Sequence, residues 1–100
     1  MPSQKRIIEL CNLALESIRG LITEEQHQAA YDDVNRHDEW ALGIEFVIDW
    51  LNEEGISINR KQFDAIYAAM SAMGLGEDDR VRYLKTQNLR GSQSGGSPDG

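Results

Sequence analysis

Apolar side chains recur at steps of three and four along most of the chain, the period of a helix with one buried face. No stretch alternates strictly, as a half-buried strand would. From Ser3 to Arg19, Ile7, Leu10, Cys11, Ala14 and Ile18 share one side, with Ser3 placed to cap the start and Gly20 to end the helix. Thr23 opens TEEQ, a capping box in which Thr23 accepts from the amide of Gln26 while Gln26 reaches back. Glu24 and Glu25 suit the positive end of that helix dipole, and His27, Ala30, Tyr31 and Val34 point inward until about Arg36.

A third helix is expected from near Asp38 to just before Gly55. Trp40, Ile44, Val47, Ile48 and Leu51 make one apolar face, Phe46 and Trp50 continue it around a second side, and only a strip with Glu45, Asp49, Asn52 and Glu53 is polar. A helix apolar over most of its girth belongs at the centre, packed on more than one side. In ISINRKQF, Asn59 with Gln62 forms a second capping box and Ile58 can staple against Phe63. The fourth helix then turns Phe63, Ile66, Tyr67, Met70 and Met73 inward and stops at Gly74-Leu75-Gly76. Residues 77–89 can add a short amphipathic helix through Val81, Leu84 and Leu89, whereas RGSQSGGSPDG has nothing to bury and reads as a flexible tail. The expectation is an all-α fold: one domain over 1–89, a small bundle of four main helices with a short fifth, followed by a tail over 90–100.

Length and composition agree with one small domain, since 100 residues with 40% apolar content support a single core. The apolar runs are too short and interrupted to span a bilayer, and no secretion signal is recognisable, so a cytoplasmic protein is expected. Cys11 is the only cysteine, which excludes an internal disulfide. Charge changes the picture more. Of the net −7, residues 21–58 carry −9, with ten carboxylates against Arg36 alone, while 1–20 carry +1, 59–90 carry +2 and the tail −1. A field of that sign repels phosphate backbones and attracts basic surfaces, so direct nucleic-acid binding is not expected.

No catalytic constellation emerges, and no enzyme, cofactor or metal is assigned. Glu24 and His27 have the E-x-x-H spacing of helical di-metal sites, but the second copy and further inward Glu residues are missing. His27 reads as a hydrogen-bonded histidine at the core margin, His37 as a cap or surface residue, and Cys11 as a buried small hydrophobe. DDVNRHDE lacks the central Gly and terminal Glu of a calcium loop. That leaves the carboxylates Asp32, Asp33, Asp38, Glu39, Glu45, Asp49 and Glu53, either a solvated face or a binding face for a basic protein. Glu45, Asp49 and Glu53 recur every four residues with no Lys or Arg between Trp40 and Glu54, so the row is expected to be unpaired and to repel itself. Trp50 beside it is either core or an interface anchor.

From Asp38 to Leu75 the chain reads DEWALGIEFVIDWLNEEGISINRKQFDAIYAAMSAMGL. It resembles the Maf-type immunity proteins of bacterial polymorphic-toxin and contact-dependent-inhibition systems. The resemblance lies in an acidic-aromatic start, Glu39-Trp40, and a helix of the type Ile44-Glu45-x-x-x-Asp49-x-Leu51. A loop, Ile56-Ser57-Ile58, then leads to a helix ending in Met73-Gly74-Leu75. Gly43 departs from the pattern and costs roughly 1 kcal/mol in a helix unless a neighbour approaches closely. The resemblance implies a cytoplasmic inhibitor of a cognate C-terminal toxin domain, a nuclease in many such systems; the unpaired carboxylates with Trp50 are the face expected to meet a basic surface of that partner. A generic acidic helical adaptor or regulatory subunit for a basic protein is the alternative.

Overall fold

The computed structural model describes residues 2–89, and among them the fold is all-helical with no strands. The order is α1 (Gln4–Ser17), α2 (Glu24–Asn35), α3 (Trp40–Glu53), α4 (Arg60–Ala72) and α5 (Asp79–Tyr83), which runs into a π-helical turn at Leu84–Asn88. The tail expected over 90–100 lies outside the described residues. The starts of α1, α2 and α4 follow their local chemistry. Ser3 accepts from the amide of Arg6, and both capping boxes are complete, Thr23 with Gln26 and Asn59 with Gln62. Ile58 and Phe63, the expected staple pair, are both buried in the core.

The ends of α3 and α4 share one device. Gly55 and Gly74 take φ values of 63° and 78°, which lets the next amide turn back: Ile56 donates to the Leu51 carbonyl at 2.9 Å and Leu75 to that of Met70 at 2.8 Å. α1 ends earlier than the placement of Gly20 suggests, because the chain turns after Ser17 through the Leu21 amide and Ile18 carbonyl, 2.9 Å apart.

α1 lies along α4 and α2 along α3, and α3 touches every other helix and the π-helical turn. The core follows from this: Ile44, Val47, Ile48 and Leu51 of α3 meet Cys11, Ala14, Leu15 and Ile18 of α1, Ala30 and Val34 of α2, and Ile66, Ala69 and Met70 of α4. Gly43 is where α2 comes closest. A Cβ there would sit 3.0 Å from the Ala30 carbonyl oxygen and 3.1 Å from both the Asp33 Cβ and the Val34 Cγ2, so the missing side chain is what lets the two helices meet.

Three aromatic residues expected inward are instead open to water: Tyr31, Phe46 and Tyr67 are 43%, 40% and 40% exposed. All three lie at the edges of their apolar faces, where a neighbouring helix does not reach. Tyr67 stacks on buried Phe63 at 5.9 Å, and a tyrosine edge can stay wet at its hydroxyl. Phe46 has no such polar end.

The last described segment folds back over the C-terminal end of α3. Asn88, buried and polar, donates from its amide nitrogen to the carbonyls of Leu51 and Ile56, both at 2.9 Å, while its own carbonyl accepts from the Ile58 amide at 2.9 Å. Val81, Leu84 and Leu89 bury beside it, as expected of an amphipathic segment.

Two substitutions test this packing. Asn88→Ala removes the donor to the Ile56 carbonyl and one of the two to the Leu51 carbonyl, and should lower unfolding free energy by about 2 kcal/mol in urea titrations. Gly43→Val should cost about 2 kcal/mol or more by forcing α2 off α3, despite the better helix propensity of the larger residue.

Candidate partner-binding face

Along α3, Glu39, Leu42, Phe46, Asp49 and Glu53 follow one another at steps of three and four and form one stripe between α2 and α5. Leu42 and Phe46 are 37% and 40% exposed. Phe46 stacks on half-buried Trp50 with ring centroids 5.8 Å apart, and Trp50 packs against the core through its other edge. The stripe is thus apolar in the middle and acidic at both ends.

The unpaired row expected from Glu45, Asp49 and Glu53 is not what the fold produces. Arg80 of α5 lies across it, with its Nε 3.0 Å from Asp49, its Nη1 3.7 Å from Glu45, and Asp78 held 3.4 Å away on its other side. The charge of Asp49 raises the Arg80 pKa above its ordinary value against the opposing cost of desolvation, with lesser help from the Asp49 hydrogen bond, Glu45 and Asp78. Asn52 fastens the same segment by donating to the Arg80 carbonyl at 3.2 Å. Arg80 lies 31 residues downstream of Asp49, so only the fold brings it to the row.

The other expected site residues divide. Asp32 pairs with Arg36 at 3.4 Å and accepts from Gln28 at 3.0 Å, so it is spent within α2. Asp33, Asp38, Glu39 and Glu53 have no cation partner among the described residues. Asp33 is half-buried at the α2–α3 corner, where its carbonyl accepts from the Glu39 amide at 2.8 Å. Asp38 takes a φ of 54°, a conformation that Asp tolerates better than most residues, and Glu39 follows as the N-cap of α3 without a side-chain cap bond. Asp38 and Glu39 therefore stand exposed at the N-terminal end of α3. Glu54, beside Glu53, is also unpaired among the described residues.

Asp38 and Glu39 also border an open groove of about 480 Å³ where the ends of α1, α3 and α4 meet, lined by Ile7, Trp40, Ala41, Leu42, Met73 and Leu75. The indole N–H of Trp40 is buried with no acceptor among the described residues. Helical patterning could not disclose this groove, because its walls come from three elements whose ends meet only in the folded chain.

His27 takes a structural position. His27 is 6% exposed and its Nε2 lies 3.0 Å from the Leu15 carbonyl. A carbonyl only accepts, so Nε2 carries the proton and ties α2 to α1. Asn12 and Asn35 reinforce that contact with reciprocal amide bonds of 3.0 and 2.9 Å. Among the described residues no group of three or more His, Cys, Asp and Glu side chains is arranged to hold a metal ion, and no helix is long and apolar enough to cross a membrane.

Cys11 is fully buried, and burial pushes its thiol from 9.0 up to about 12. The unfolded chain loses this proton first, so the thiol's contribution to stability is complete below pH 9.0 and should fade as pH rises towards about 12. The advantage of wild type over Cys11→Ala in urea titrations should narrow across that window, and a thiol reagent at pH 8 should label Cys11 only on unfolding.

Compared with protein-family models, with curated proteins and with solved structures, the chain finds no match in any of the three.

Proposed function

We propose that this chain is an immunity protein that binds the C-terminal toxin domain of its own polymorphic-toxin system in the cytoplasm and neutralises it. It would do so by covering a basic surface, such as the substrate cleft of a nuclease. The observation that carries the reading is the α3 stripe: exposed Leu42 and Phe46 flanked by Glu39 and Glu53, neither of which has a cation partner among the described residues. An apolar centre with a charged rim is the make-up of a protein interface, in which a few anchors hold the complex and the rim sets encounter rate and partner choice. The resemblance of Asp38–Leu75 to Maf-type immunity proteins supports the same reading, and that segment spans α3, its loop and α4.

Glu45 and Asp49 have a smaller part in this reading than the spacing of the row suggests. Arg80 offsets part of their field, one positive charge set against Glu45, Asp49 and Asp78, whereas Asp33, Asp38, Glu39 and Glu53 meet no cation among the described residues and steer without that offset.

The test is growth rescue by coexpression with the toxin domain encoded immediately upstream of the gene, followed by association kinetics of the purified pair. Wild type should rescue and form a stable complex. Asp38→Asn, Glu39→Gln and Glu53→Gln together should slow association about tenfold and flatten its salt dependence. Glu45→Gln with Asp49→Gln should change the rate less. Killing that is equal with and without this protein, with no complex on gel filtration, would rule the immunity reading out in favour of an adaptor for another basic protein.

A further inference from the structure

We infer that the groove at the α1–α3–α4 end is an anchor site for an apolar side chain presented by a basic segment of a protein partner. The inference rests on the reading that the α3 face binds a basic protein, and it says where that binding is anchored. The groove's floor is apolar, from Ile7, Trp40, Ala41, Leu42, Met73 and Leu75, and its volume of about 480 Å³ lies within the range of sites that enclose small groups. Its polar rim is of one sign only. Asp38 and Glu39 border it, and neither meets a cation among the described residues.

That pairing of floor and rim selects the occupant. An apolar side chain entering the groove brings its flanking backbone past two carboxylates, and Lys or Arg beside it would meet them directly. A neutral apolar molecule would leave both charges uncompensated, and an acidic segment would be repelled. The groove also continues the α3 stripe, because Glu39 and Leu42 belong to both. Trp40 lines the groove as well, and its buried N–H has no acceptor among the described residues.

The two tryptophans report separately on the groove and the stripe, since Trp40 lines the former and Trp50 flanks the latter. The experiment titrates the full ¹⁵N-labelled chain with the peptide Arg-Lys-Leu-Phe-Lys-Arg and with a control in which Gly-Ser replaces Leu-Phe, following both indole signals, assigned with Trp40→Phe. The first peptide should move the Trp40 signal saturably. The control, and the first peptide on Asp38→Asn/Glu39→Gln, should bind at least about tenfold more weakly. Ala41→Leu, which fills the groove with a good helix former, should abolish the Trp40 shift while circular dichroism stays unchanged. Shifts confined to Trp50, equal binding of the two peptides, or no binding at all would overturn the anchor site. Peptide binding at Trp40 without toxin neutralisation would keep the groove and discard the immunity reading. Growth rescue that survives Ala41→Leu, without a Trp40 shift, would do the reverse.

Discussion

The rest of the structure depends on the burial of α3. Ile44, Val47, Ile48 and Leu51 are all at most 1% exposed, and no single neighbour covers them: α1, α2, α4 and the C-terminal segment each take part of the girth. Removing that much apolar surface from water is the main favourable contribution available to so small a domain. It also dictates what α3 has left to offer. With α2 drawn in at Gly43 and α5 on the far flank, a single stripe stays open, and it holds Leu42 and Phe46 between carboxylates.

The C-terminal segment sets the electrostatics of that stripe. Along the chain, acid and base are segregated, the acid between 21 and 58 and a modest positive excess after it. Folding undoes part of the segregation. The amphipathic burial of Val81, Leu84 and Leu89 brings α5 across α3, Asn88 fastens the end of that segment to the Leu51 and Ile56 carbonyls, and Arg80 is thereby delivered to Asp49 and Glu45. The exposed negative charge left without partners lies at the two ends of α3 rather than along its middle. The end near Asp38 and Glu39 coincides with the apolar groove.

Much of the architecture was legible because helix ends are written in short-range chemistry. A capping box spans four residues and a glycine C-cap about six, so Thr23-Gln26, Asn59-Gln62, Gly55 and Gly74 declare themselves without any tertiary contact. Inward positions near the middle of an apolar face, such as Cys11, Val34, Ile48 and Ile66, were equally plain. Positions at the edge of a face were not. Tyr31, Phe46 and Tyr67 have the periodicity of core residues, but periodicity reports a direction around the helix axis and not whether a neighbour fills it.

The sequence by itself determined the helices, their caps, most of the core and the location of the negative charge along the chain, because each depends on residues within one or two turns of each other. Only the tertiary structure decided which carboxylates remain unpaired, which aromatics face water, and that the ends of three helices enclose an apolar groove. Those outcomes depend on side chains tens of residues apart, Arg80 with Asp49 or Ile7 with Trp40 and Leu75, whose meeting follows from how the helices pack. Gly43 links the two levels: as a residue it is a local cost to a helix, and in the folded chain it is the point where α2 and α3 make contact.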